Sequence, residues 1–366
     1  MKWKQQIHGM KAYQPGKPME EVKAMYQLEE VVKLASNENP FGCSPQVKAY
    51  LENMNVDHAI YPDGYAQSLR TIMADHFNIS EDMLIFGNGS DDLIAIITRA
   101  LLYPGVNTVM ATPSFSQYKH NAIIEGAEVR EIPLINGAHD LQAMLAAIDK
   151  QTSVIWICSP NNPTGVVIPD KALRTFLQQV PKDVLVVLDE AYCEYVQDEE
   201  HTSTIPLLAK YDNVISLRTF SKAYGLAGFR VGYGIAHPAI IAKLDPVRAP
   251  FNNTVLGQNV AKIAIKDQAF ITQCIEANEA GKRQFEAFCD KHDLHYYPSA
   301  TNFILFEIKT DSDIVFQKLM ERGFIVRSGK ALGVPNYLRV TIGTKAQNEA
   351  FFTQLEAVLE EQGVLV

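Results

Sequence analysis

The sequence has no run of basic residues, no low-complexity tail, no internal repeat and no long apolar stretch. Its 33 Lys and Arg are outnumbered by 42 Asp and Glu, giving a formal net charge of −9. That balance argues against a surface built for nucleic acid. No apolar run approaches the roughly 18–20 residues that a membrane span needs. The opening MKWKQQIHGM lacks the apolar core of a secretory signal. Cysteine is scarce: five residues, Cys43, Cys158, Cys193, Cys274 and Cys289, with no C-x-x-C spacing. An odd, scattered set fits a reducing cytoplasm better than a disulfide framework or a zinc site. His292 and His295 have no third ligand nearby and read as surface structure, so no metal is expected. No glycine-rich turn is followed by Gly-Lys-Ser/Thr, which excludes a Walker A loop, and no full G-x-G-x-x-G occurs.

What remains is an ordinary enzyme composition. The 366 residues are 47% hydrophobic and 20% charged, enough for a large core and two lobes. Residues 1–35 mix Pro, Gly and charge and read as an arm rather than a core element. Between about 45 and 245, short apolar runs alternate with amphipathic stretches. Strands are expected at Met83–Phe86, Thr108–Ala111, Val154–Cys158, Val184–Leu188, Val214–Leu217 and Val231–Ile235. Helices are expected at Asp91–Leu102, Gln117–Glu125, Leu141–Ala147 and Lys171–Gln179. Such alternation predicts a mainly parallel sheet covered on both faces. After about 250 the pattern changes. Helical stretches at Gln258–Ile265 and Gln268–His292 precede strands near Phe303–Glu307 and Leu338–Ile342, and a helix over Gln347–Gln362 closes a smaller α+β lobe.

Polar turns follow the apolar runs repeatedly, and ligands in open α/β sheets sit beyond the carboxyl ends of the strands. Gly87-Asn88-Gly89-Ser90-Asp91-Asp92 opens a helix and can cradle an anion; as plain structure, Ser90 or Asp91 would be its N-cap. Phe115, in Thr112–Tyr118, can stack on a planar ligand or serve the core. Ser159-Pro160-Asn161-Asn162-Pro163-Thr164-Gly165 is a rigid turn whose amides can meet a ligand oxygen. Asp189 ends Val184–Leu188, where a buried carboxylate needs a cation: a protonated ring nitrogen, or an ordinary Arg or Lys. Thr219–Arg230 carries Lys222 after another apolar run. Burial lowers an ammonium's pKa and makes the amine a nucleophile. Together these features fit a flat, phosphorylated, cationic heterocycle held by a lysine, which describes pyridoxal 5′-phosphate.

SPNNPTG, DEAY and TFSKAYGLAGFR, spaced as they are here, resemble the fold-type I aminotransferases of class I and II over almost the whole chain. YQPGKP, LASNENPFG, YPDG, GNGSDD, TPSFSQY and YLRVTIGT are most similar to the branch that acts on histidinol phosphate. The resemblance implies an N-terminal arm and part of a small domain over 1–45. It places a large α/β domain with a mainly parallel seven-stranded sheet over 46–250 and a small α+β domain over 251–366. It implies that Lys222 holds pyridoxal phosphate as a Schiff base and that Asp189 pairs with the ring nitrogen. Tyr192 and Asn162 would bond the phenolic oxygen, and Phe115 would stack on the ring, where many relatives have Tyr. Ser90, Asp91, Thr219, Ser221 and Arg230 would hold the phosphate. Tyr61 would reach across a homodimer to the partner's cofactor. Arg339 would bind the carboxylate of glutamate, Arg327 the phosphate of histidinol phosphate, and Tyr13 and Asn37 would line the pocket. The implied reaction is a ping-pong transamination between histidinol phosphate and 2-oxoglutarate in histidine biosynthesis. Competing expectations are an aromatic amino acid aminotransferase, a threonine-phosphate decarboxylase, and a regulator on the same module, which the short, non-basic N-terminus disfavours.

Overall fold

The computed structural model describes residues 1–12, 16–197 and 204–365. Twelve strands occur among them. In chain order they are β1 (Val32–Lys33), β2 (Leu84–Gly87), β3 (Asn107–Thr112), β4 (Glu128–Pro133), β5 (Thr152–Cys158) and β6 (Leu185–Asp189). They continue as β7 (Val214–Thr219), β8 (Gly232–Ala236), β9 (Phe303–Glu307), β10 (Phe324–Ile325), β11 (Arg327–Ser328) and β12 (Tyr337–Thr341).

Seven form one sheet in the order β2-β8-β7-β6-β5-β3-β4. Every pairing from β7 through β4 is parallel, and β8 alone runs antiparallel to its neighbours. The central strands are continuous apolar runs because both faces are covered. Strand alternation divides them. Ile155, Ile157, Val186 and Leu188 enter one core with the helices Gln67–Phe77, Asp170–Leu177 and Val255–Ala264. Val154, Trp156, Cys158, Leu185 and Val187 enter the other, with Ser90–Leu101 and Ser116–Glu125.

Six of the seven strands lie where the apolar runs placed them, within a few residues. The exception is β4, whose sequence Glu-Val-Arg-Glu-Ile-Pro contains no buried residue. It is an edge strand, and charged side chains blunt such an edge against further pairing, which also hides it from a hydrophobicity-based search.

The second half builds an antiparallel sheet, β11-β12-β9, and its β10 pairs in parallel with β1 from the N-terminal segment. Helices Gln268–Lys291, Ser312–Glu321 and Lys345–Glu361 cover a separate core that includes Phe285, Phe306 and Phe351. Part of the expected arm belongs here. Met19–Tyr26 is a helix that buries Val22, and β1 pairs with β10. Two residues of strand and one buried apolar side chain leave too weak a period for recognition. No described helix is long and apolar enough to cross a membrane.

Candidate active site

The turn after β7 puts Lys222 at the carboxyl end of the sheet. Its chain path needs glycine: at Gly225 φ is +67°, and a Cβ would lie 1.8 Å from the Gly42 carbonyl oxygen. Lys222 Nζ donates to the Ser36 carbonyl at 3.0 Å. Burial, reinforced by the nearby Arg339 charge, lowers its pKa to about 8. That leaves about a tenth of the amine neutral at pH 7, far more than an ordinary lysine, and the neutral form is the nucleophile.

Beside it, the helix Ser90–Leu101 points its first turn at the same space. Its N-cap is Gly89, at φ 82° and without a side-chain cap bond, so neither Ser90 nor Asp91 caps it. A Cβ on Gly89 would lie 2.5 Å from Arg230 Nη2, and one on Gly232 would lie 2.4 Å from the Ser90 nitrogen. Glycine at both positions lets Arg230 and the helix start converge. Arg230 donates from Nη1 to Ser221 Oγ at 3.4 Å and to the Ala227 carbonyl at 3.1 Å, and lies 3.9 Å from Asp91. Ser221 N donates to Thr219 Oγ1 at 3.1 Å. An open helix start, hydroxyls and a guanidinium are groups that can together cradle an anion such as a phosphate.

Asp189 ends β6, directly opposite Cys158 of β5. Its carboxylate accepts from the Ala191 N–H at 3.2 Å and from the Tyr118 hydroxyl at 2.6 Å. Burial dominates and raises its pKa to about 6. The ordinary alternative, an Arg or Lys partner, is not realised among the described residues. The cation there, Arg218, pairs instead with Glu190 at 3.1 Å, and Glu190 also accepts from Thr204 at 2.6 Å and from Ser216. A protonated ring nitrogen would supply the charge that Asp189 lacks.

The facing wall comes from the smaller sheet and residues 35–39. Arg327 and Arg339 are direct cross-strand partners in β11 and β12. Arg339 donates to Asn162 Oδ1 at 2.6 Å and to the Ala35 carbonyl at 2.8 Å. Asn37 donates from Nδ2 to the Tyr192 hydroxyl at 2.9 Å. Like charges directly opposite each other in a sheet are unfavourable, so two arginines here point to anionic ligands.

These walls enclose about 270 Å³. Asn37, Ser90, Asp91, Phe115, Asn162, Asp189, Tyr192, Thr219, Ser221, Lys222, Arg230, Arg327 and Arg339 all reach the cavity. Tyr61 does not; it is 78% exposed and stacks on Phe251 at 4.7 Å. Tyr13 lies outside the described residues. Sequence reasoning missed Glu38 and Cys158, which line the cavity, and Tyr118, which bonds Asp189 from beneath. Only the three-residue offset of Tyr118 from Phe115, the N-cap of its helix, could have signalled it.

Residues 29–355 match the family described as aminotransferase class I and II. The chain belongs to that family. This aminotransferase is 69% identical over 364 residues to a histidinol-phosphate aminotransferase of Lysinibacillus sphaericus, covering 100% of both chains. It is 57% identical to the Bacillus subtilis protein of that name, covering 98% of this chain and 100% of the relative. Among solved structures, it resembles the histidinol-phosphate aminotransferase of Sinorhizobium meliloti in complex with pyridoxal-5′-phosphate. That match has a TM-score of 0.90 at 26% identity and covers 98% of each chain. The open helix start beside Arg230, the Asp189 carboxylate without an Arg or Lys partner and the Lys222 amine are groups of the kind such a cofactor needs.

Proposed function

We propose that this aminotransferase binds pyridoxal 5′-phosphate and transfers the amine of histidinol phosphate to 2-oxoglutarate, a step of histidine biosynthesis. The carrying observation is the opposed pair Arg327 and Arg339 on the same cavity as Lys222. Relatives 69% and 57% identical over nearly their full length bear that activity in their names.

Lys222 Nζ would hold the cofactor. Asp189 would keep the ring nitrogen protonated, Asn162 and Tyr192 would bond the phenolic oxygen, and Phe115 would cover a ring face. Ser90, Asp91, Thr219, Ser221 and Arg230 would take the phosphate. When bound, the cofactor supplies an electron-withdrawing ring and a carbon that exchanges amines. Lys222 Nζ then serves as base at the substrate's amine-bearing carbon and returns the proton as an acid. Arg339 takes the carboxylate of glutamate, and Arg327 takes the phosphate of histidinol phosphate. Tyr13 and Asn37 border the substrate.

A homodimer completes the assignment. Ile60, Tyr61, Tyr65 and Phe251 are exposed and Tyr61 stacks on Phe251, and Tyr61 would reach the cofactor phosphate of a second copy. All five cysteines are free, as suits the reducing cytoplasm where we place the enzyme. A parallel assay of histidinol phosphate, phenylalanine and tyrosine with 2-oxoglutarate tests the substrate. Much faster turnover of an aromatic amino acid would replace histidinol phosphate in the assignment.

A further inference from the structure

Tyr118 has no part in the reaction above, yet it touches the group at the cavity floor. It sits in the first turn of the helix Ser116–Glu125 and is only 1% exposed. Its hydroxyl donates to Asp189 Oδ2 at 2.6 Å. Its ring stacks on Trp156 at a centroid distance of 4.8 Å and an interplanar angle of 12°. The Trp156 indole N–H is itself fixed by Thr108 Oγ1 at 2.9 Å, and that hydroxyl donates to the Val154 carbonyl at 2.8 Å. Phe115 meets the Tyr118 ring edge-on at 5.6 Å. A buried phenol is costly unless its hydroxyl is bonded. Here one helix and two strands aim it at Asp189, with the Cys158 thiol beside it.

We propose that Tyr118 is a positioning residue for the cofactor ring: its hydroxyl orients the Asp189 carboxylate toward the ring nitrogen while its ring braces Phe115. The proposal rests on the cofactor assignment above. Asp189 is faced by Tyr118 from the helix Ser116–Glu125, by Cys158 from β5, and by Asp91 from the helix Ser90–Leu101. Glu190 adjoins it and Tyr192 lies in the turn beyond. Burial, Asp91 and Glu190 all favour the neutral acid, whereas the Tyr118 hydroxyl and the Ala191 N–H favour the carboxylate. Removing the hydroxyl therefore protonates Asp189 at a higher pH. A hydrogen bond to a charged group corresponds to about one to two pH units.

The test is pyridoxal phosphate binding to the cofactor-stripped protein, followed by absorbance from about pH 5 to 9. Tyr118→Phe keeps the ring and its stacking. The acid-side fall in affinity should move up by about one pH unit or more, a roughly tenfold loss on that limb. In an Asp189→Asn background, Tyr118→Phe should add no such shift. An unchanged pH dependence in Tyr118→Phe would overturn the proposal. So would an equal loss of affinity in both backgrounds, which assigns the effect to packing. Failure of the unsubstituted protein to bind pyridoxal phosphate would instead remove the cofactor assignment, and this proposal with it.

Discussion

Arg327→Gln should separate the two proposed anion sites. Arg339 is buried and tied to Asn162 and the Ala35 carbonyl, and its guanidinium lies 5.2 Å from the Phe303 ring centroid. Substituting it would disturb the wall as well as the charge. Arg327, half-buried on the shorter strand β11, faces the same cavity. A hydrogen bond to a charged group contributes about 1.5–3 kcal/mol, so losing its phosphate contact should cost about 10- to 150-fold in kcat/KM for histidinol phosphate. The phosphate is remote from the reacting carbon and is held alike before and during the reaction, so the loss should fall on KM. Phenylalanine offers one carboxylate, which Arg339 can take, and its rate should change by no more than about threefold. Single-turnover reaction of each amine with the loaded enzyme, followed by absorbance, avoids any effect on 2-oxoglutarate. Equal losses for both amines would refute the division of labour, and a loss confined to phenylalanine would reverse it.

Lys222→Ala should abolish turnover and the absorbance of lysine-bound cofactor; survival of that absorbance would remove Lys222 from its role. In the unsubstituted protein, the rate of cofactor capture should rise with pH through about 8 as Lys222 loses its proton. Arg339→Gln removes a positive neighbour and should move that limb to higher pH. Gly232→Ala places a Cβ 2.4 Å from backbone atoms of Gly89 and Ser90. It should weaken pyridoxal phosphate binding by about tenfold or more in a direct titration, through the backbone shift and lost cradle contacts. Glu190→Leu strands the Arg218 charge, whose side chain is 10% exposed, and should cost about 3–5 kcal/mol in chemical denaturation. Adding Arg218→Met should restore most of that stability, and a double variant no better than the single would refute the pairing.

Much of the site was legible because the sheet forces it. A continuous apolar run such as Val184–Leu188 has to end somewhere, and the polar residue at that end faces the ligand crevice. Asp189, Asn162 and Lys222 all follow this rule. Glu190 shows where it stops. One residue beyond Asp189, it turns into a different buried network whose partners, Thr204, Ser216 and Arg218, lie 14 to 28 residues away. Nothing in their spacing announces that pairing. β4 was illegible for the opposite reason, having no buried face to impose a period. Glu38 resisted detection because its place is set by tertiary contacts of the segment around it.

That segment joins the two ends of the chain. The Ala35 carbonyl accepts from Arg339, and Asn37 N donates to Thr341 Oγ1 at 2.9 Å, each pair 304 residues apart. During synthesis, residues 35–37 leave the ribosome long before either partner exists. The large sheet and the helix start beside Arg230 draw on residues 84–236, whereas the substrate side cannot close until β12 has emerged. Chains that stop before β12 lack the Arg339 wall and should therefore not turn over amines.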